Sequence, residues 1–297
     1  MALSILICII AHFKFYCYNY IMRSKILIPK NELNRLYYKE KKSKYKIGKI
    51  YNCSFKTVLN RMREFGMKPL SRSIIQSKYR KNNFSGDKIE KAYLLGFRLG
   101  DLNVYKTTDS SEVIVVRCHT TRKEQIELIR FLFEKYGKVT YKINNNDKSY
   151  YINCFLNNSF IFLLPNIDKV ENWINRNEKY SFSFAAGYID AEANIGVYDG
   201  RARFKVDSYD KNIIFWLYGL FVKNKIICPR PLKIGQKNEI YDKKSGYKYN
   251  KNLWRVRVSN AQSLEKLFKN IALYLKHKKR VNDFNKCLKN LNDRRNK

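Results

Sequence analysis

The feature that most limits what this chain can become is a repeat of itself. Leu95-Gly96-Phe97-Arg98-Leu99-Gly100-Asp101 returns 91 residues later as Ala186-Gly187-Tyr188-Ile189-Asp190-Ala191-Glu192. Each copy has a glycine, an aromatic, a second small residue four positions after the glycine, and an acid; Asn103-Val104 and Asn194-Ile195 then correspond. The downstream text repeats too. Alternating segments (VIVVRCHT, RARFKVDS) precede amphipathic ones (RKEQIELIRFLFEKYG, DKNIIFWLYGLFVKN), and further alternating segments enter helices at asparagine-rich caps (YYINCFLNNSFIFLL, WRVRVSNAQSLEKLF). Period-two text reads as strand and 3.6-period text as helix. The chain is therefore a tandem duplication, and the expected fold is α+β: two pseudo-symmetric αββαββα repeats, 88–176 and 177–297, with antiparallel sheets.

The repeated glycines give the seam. Gly96 and Gly100, like Gly187 and Ala191, stand one helical turn apart, so two such helices can pack with their backbones almost touching. A pseudo-twofold axis then brings Asp101 and Glu192 side by side at the same end. Two carboxylates at two helix C-termini repel one another and face negative dipole ends, which raises their pKa values. A divalent cation removes that cost, and hard oxygens with few other ligands suit Mg²⁺. One such helix is ordinary core; two at equivalent places point to metal-assisted phosphodiester chemistry.

Charge says what lies opposite. Against 25 Asp+Glu the chain carries 60 Lys+Arg, a formal +35 spread over its length, and 45% apolar content supports real cores. Such a field attracts a polyanion. Along the strands, Arg117 and His119 oppose Val116 and Cys118, and Tyr151, Asn153 and Phe155 oppose Ile152 and Cys154. In the second copy Arg201, Arg203, Lys205 and Asp207 share a face, as do Arg255 and Arg257. A merely solvated face explains any one strand, but not all of them together; the set reads as a platform for a polyanion. His12, His119 and His277 are too scattered to ligate a metal together, and no nucleophile constellation or glycine-rich phosphate loop is present. Seven cysteines without a CxxC pair indicate reduced, structural thiols. Abundant Lys, Asn, Ile and Tyr point to an A+T-rich genome.

Ahead of the repeats, residues 29–70 read as short helices, with Ser54 as an N-cap and Gly66 as a stop. Val58, Leu59, Met62 and Phe65 form the inward stripe, leaving Lys56, Asn60, Arg61 and Arg63 outward. Two short helices joined by a tight turn, the second basic, resemble a helix-turn-helix DNA reader; the other reading is a small three-helix bundle. Residues 71–87 read as a basic linker. Residues 1–28 read as a disordered extension or mis-called start, with a targeting peptide as the other reading; the apolar core Ile5 to Ala11 is too short to span a bilayer.

The two motifs, with their acids and spacing, resemble those of single-chain LAGLIDADG homing endonucleases over about Lys88 to Asn290. The resemblance implies saddle-shaped sheets in the major groove of a long duplex site, a monomer, and Mg²⁺-dependent cleavage of both strands. Asp101 and Glu192 would be the metal-binding acids, with the carbonyls of Gly100 and Ala191 as further ligands. A basic residue is expected near the metal. ALYLKHKKRVNDF resembles the family's lysine-bearing segment, naming Lys278 and next Lys276; the first half offers only Lys169. Leu99 stands where the motif has its first acid, and Leu102 and Ala193 where it has its final glycine. The expectation is a site-specific double-strand DNA endonuclease of a mobile intron or free-standing element; the ending DRRNK and the absence of an opening cysteine disfavour an intein. The rival is a non-cleaving binder on the same scaffold, an intron RNA maturase or a transcription regulator. No membrane partner is expected, and an organelle, a bacterial cytoplasm and a phage-infected cell are all compatible.

Overall fold

Serine caps open two helices of the first unit, Met1–Lys78. In the computed structural model, which describes residues 26–70, 79, 81–242 and 244–296, it contains α1 (Lys30–Asn34, continued by a π turn), α2 (Lys44–Ile50) and α3 (Phe55–Glu64). Most of the expected extension 1–28, and residues 71–78 and 80 of the expected linker, lie outside the described residues. The hydroxyls of Ser43 and Ser54 accept from Lys46 N (3.3 Å) and Thr57 N (3.2 Å), satisfying donors that helix geometry leaves free. The turn between α2 and α3 closes on Gly48, where a Cβ would come within 2.6 Å of Cys53 O. Leu33, Tyr37, Ile47 and Val58 are fully buried. Arg61 departs from the expected outward stripe: its guanidinium donates to the Ile26 carbonyl and pairs with Glu64. That half-buried carbonyl needs a donor, and Arg61 supplies it.

The second unit, Tyr79–Lys297, holds both repeats. In chain order these are α4 (Lys88–Asp101), β1 (Asn103–Tyr105), β2 (Val113–Thr120), α5 (Lys123–Phe133), β3 (Lys138–Asn144) and β4 (Ser149–Asn157). Then follow α6 (Glu178–Glu192), β5 (Ala193–Tyr198), β6 (Arg201–Ser208), α7 (Lys211–Lys223) and β7 (Leu232–Gly235). The small strands β8 (Ile240–Asp242) and β9 (Tyr247–Lys248) come next, then β10 (Leu253–Val258), α8 (Ala261–Ile271) and α9 (Lys278–Arg295). Both main sheets are antiparallel with the same order, β1-β2-β4-β3 and β5-β6-β10-β7. The fold is α+β and the duplication is visible in its topology. Among the described residues no helix is long and apolar enough to cross a membrane.

The copies diverge where each should close with a helix. The first closes with two 3₁₀ segments, Asn158–Leu163 and Ile174–Arg176. Leu164 still has helical backbone, but Pro165 after it has no amide hydrogen to donate to a further turn, and the 3₁₀ segment ends there. The second copy closes with the full helices α8 and α9. The connection between copies is fastened by Asp168, whose carboxylate accepts from Asn212 N and Ile213 N (2.9 Å each) at the start of α7. One continuous core runs through both repeats. Tyr93, Phe97, Phe184 and Tyr188 are buried at its centre, each contributing roughly 2–3 kcal/mol through burial.

Candidate active site at the seam of the repeats

α4 and α6 are capped alike: Asp87 Oδ1 accepts from Ile89 N and Glu90 N (2.7 and 3.1 Å), and Asn177 Oδ1 from Lys179 N (2.9 Å). Where they cross, a Cβ on Gly96 would lie 2.0 Å from Phe184 O, and one on Gly187 would lie 2.1 Å from Tyr93 O. Both contacts are reciprocal under the 91-residue offset, so the two backbones meet across a pseudo-twofold axis with no room for a side chain. One turn further, a Cβ on Gly100 would fall 2.4 Å from Ala191 Cβ and 3.3 Å from Glu192 Oε1. The carboxylate of Glu192 thus lies against the last turn of the helix that ends in Asp101.

The two acids feel their confinement. Burial pushes the Asp101 carboxyl up to about 6, opposed by the Gln125 amide and the charge of Arg280. Burial, then the charge of Asp101, pushes Glu192 up to about 7, again opposed by Arg280. Gln125 Nε2 donates to Asp101 Oδ2 at 2.8 Å. Glu192 accepts no hydrogen bond among the described residues.

Asp190, the other acid of the second motif, is used differently. Its Oδ2 accepts from Tyr93 O–H (2.7 Å), Lys276 N (2.7 Å) and His277 N (3.1 Å). It thereby fixes the entry to α9. Burial pushes the His277 ring down to about 4, so at neutral pH the ring is uncharged and Nδ1 accepts from Lys279 N (3.2 Å), capping the helix. One residue after Lys279 stands Arg280, whose buried Nε has no partner among the described residues. Burial lowers its pKa, while the charges of Asp190 and Asp101 oppose that effect.

Lys278, the basic residue expected from the resemblance, pairs instead with Glu127 at 2.6 Å, with its side chain 72% exposed. The Lys276 ammonium lies over the Tyr93 ring, 4.6 Å from its centroid, and Lys169 lines a cavity on the Leu99 side of the seam. Arg280 and Gln125 were not singled out by sequence, although both carry a signal. Gln125 precedes Leu128, Ile129 and Leu132, and Arg280 precedes Phe284, Cys287 and Leu291, all buried. Each is a polar residue on a stripe that should be apolar.

The strand residues expected to bind DNA sit as the alternation requires, with differing freedom. Arg117 is exposed and donates to Asn153 Oδ1 at 3.0 Å; His119 Nε2 lies 2.8 Å from Ser149 Oγ, its ring against Tyr151. On the second sheet Asn194, Lys205 and Arg257 form one cross-strand row. With Arg201 and Arg203 they line a cavity of about 630 Å³. Arg203 pairs with Asp199 at 3.0 Å, and Arg255 forks onto Asp207 with two bonds of 2.6 Å. Asp207 therefore neutralises Arg255 and lies 3.7 Å from the Lys205 ammonium, while Arg257 has no acid partner among the described residues. On α3, Lys56 and Asn60 are exposed.

Among the described residues no group of three or more His, Cys, Asp or Glu side chains gathers as a metal cage. The seam offers a smaller donor set: two crowded carboxylates, one without a hydrogen-bond donor. It also offers the carbonyls of Gly100 and Ala191, in final turns that no later helical N–H reaches. Oxygen donors in that number fit a hard divalent ion that keeps several waters.

No protein-family profile matches the chain, and no curated protein matches it. Solved structures similar to it include mesophilic variants of the homing endonuclease I-DmoI, at 15% identity over 62% of this chain and 89% of that one, TM-score 0.41. The homing endonuclease I-WcaI bound to its DNA recognition sequence is similar at 14% identity over 75% and 97%, TM-score 0.45. The N-terminal LAGLIDADG domain of DUF199/WhiA is similar at 13% identity over 64% and 85%, TM-score 0.41.

Proposed function

We propose that this chain is a site-specific endonuclease of the LAGLIDADG homing type, hydrolysing phosphodiesters in both strands of a long DNA duplex. The observation that carries the reading is the meeting of Asp101 and Glu192 at a glycine seam between two copies of one unit, each with a basic sheet face. Asp101 and Glu192, with the carbonyls of Gly100 and Ala191, would hold Mg²⁺. When bound, such an ion polarises a phosphoryl oxygen and lowers the pKa of a water.

The chain's own residues do the rest. Gln125 holds one oxygen of Asp101 through its amide, which leaves the other for the ion. Arg280 brings positive charge to the phosphate beside the acids, the role the resemblance gives to Lys278. Asp190 positions Arg280 by fixing the backbone of Lys276 and His277. Arg257, Lys205 and Arg201, with Arg117 in the other repeat, contact phosphates and base edges. In the first unit α2 and α3 act as a helix-turn-helix, with Lys56 and Asn60 extending the footprint.

The test uses purified protein, Mg²⁺ and the intron-free or element-free allele of its own locus, beside an Asp101→Asn variant. Cutting by the wild type, with binding but no cutting by the variant, supports the endonuclease. Binding by both with cutting by neither gives the non-cleaving binder instead. Affinity for duplex should also fall steeply with added salt, since many phosphates are contacted; a shallow slope contradicts the two-platform arrangement.

A further inference from the structure

The two repeats part company between their last two strands. The first repeat joins β3 to β4 through the short turn 145–148, whereas the second inserts residues 236–252 between β7 and β10, carrying the separate two-stranded β8–β9 hairpin. The base of the insertion is held by its own bonds: Tyr249 N donates to Glu239 O (3.0 Å), Asn238 N to Tyr249 O (2.8 Å) and Lys237 N to Asn252 Oδ1 (2.9 Å). Its root is fixed where the Tyr249 ring lies against Gly235, a position at which a Cβ would sit 2.6 Å from the ring.

At this hairpin three tyrosines gather, two of them in the open. Tyr241 and Tyr247 lie nearly parallel, 15° apart with centroids 6.3 Å apart, and Tyr249 stands 4.9 Å from Tyr241. Tyr241 and Tyr247 remain 54% and 63% exposed. Stacked rings normally go to a core, and a cluster left in water marks a contact surface. Its surroundings are basic. Lys237, Lys244 and Lys248 are exposed and form no ion pair among the described residues. The local acids are turned onto their own backbone: Glu239 accepts from Gln236 N (2.8 Å), and Asp242 from Lys244 N (3.0 Å).

Exposed aromatic faces ringed by lysines fit bases on a phosphate chain. Duplex DNA buries its base faces and shows only edges in its grooves. Faces become available where bases are unpaired, which is how RNA loops and ends are recognised, by stacking and through the 2′-hydroxyl. The hydroxyls of Tyr241 and Tyr247 take no hydrogen bond among the described residues, leaving them free for such a group. We infer that the β8–β9 hairpin is a stacking platform for an unpaired RNA segment, a contact separate from the duplex-reading sheet faces. The inference rests on reading the chain as a nucleic-acid-binding protein, though not on its cutting DNA.

The experiment measures anisotropy of labelled oligouridine, oligothymidine and a duplex, each about 12 units long, against the full chain at fixed salt. Tyr241→Ala/Tyr247→Ala should weaken oligouridine binding at least about thirty-fold, the loss expected from two base stacks, and leave the duplex within about twofold. Tyr241→Phe/Tyr247→Phe should keep the stacking and lose the preference of RNA over oligothymidine. Unchanged oligouridine binding by the alanine pair, equal loss on the duplex, or a wild-type preference for oligothymidine overturns the inference. Asp101→Asn in the same assay should bind oligouridine as wild type does, and the cleavage test above separately decides the endonuclease reading.

Discussion

Asp190 and Leu99 occupy equivalent places, one on each side of the glycine seam, and they do opposite things. Asp190 is a buried carboxylate clasping the Tyr93 hydroxyl and the backbone of Lys276 and His277. Leu99 instead lines an open cavity of about 580 Å³ with Trp173, Arg176 and Lys169. There the clasp is cationic: buried Arg98 donates to Leu163 O at 2.9 Å and to Leu102 O. Both repeats must fasten their closing segment to the seam helix, and the duplication has met that need with an acid in one copy and a base in the other. Only the acid clasp leads into a long helix, and that helix carries Arg280, whose charge is felt by both acids.

Asp190→Ala leaves a buried hydroxyl and two backbone N–H groups without an acceptor, so it should lower unfolding free energy by about 3–5 kcal/mol, measured by chemical denaturation. If it costs no more than a surface substitution, the clasp is not what holds α9.

The acids at the seam set a pH dependence of the next size. Asp101 and Glu192 are raised in the folded state to about 6 and about 7, above their unfolded values near 4. Folding therefore favours their protonated forms, and their stabilisation is present below about pH 4 and lost as pH rises through 6 to 7. In chelator the protein should lose about 3 kcal/mol between pH 5 and 7.5, and Glu192→Gln should flatten that slope. A slope of the opposite sign contradicts the crowding of the two acids.

Arg280→Met should slow cleavage about a hundred-fold, as expected for loss of one preorganised charge at a phosphate, while Lys278→Met changes it by less than about twofold. Equal effects would put the basic group elsewhere. The smallest expected effect is Leu99→Ala, about 1 kcal/mol, since this wall of the cavity is only partly buried. A larger loss would mean that the Leu99 side carries more of the seam than its open cavity suggests.

How much of this was legible depended on whether a feature was written twice. The tandem unit, the helix crossing at Gly96 and Gly187 and the alternation of the strands recur, so each copy corroborates the other. The first repeat's missing helix could be read from Pro165 only by weighing one residue against the analogy of the second copy, and analogy argued the wrong way. The tyrosine hairpin has no counterpart to announce it. Gln125 and Arg280 sit in ordinary amphipathic text, and only their place on the buried stripe sets them apart. Lys278 stands two residues from Arg280 in the same basic run, but two residues on a helix is about 200° of rotation, enough to face Glu127 and the solvent instead of the acids.

The central claim is that Asp101 and Glu192 together hold one divalent ion. It is tested most directly by titrating Mn²⁺ into the chelator-treated chain at pH 8 and following its melting temperature. The account predicts a saturable rise in the wild type that both Asp101→Asn and Glu192→Gln abolish. A rise that survives either substitution, or no rise in the wild type, would contradict it.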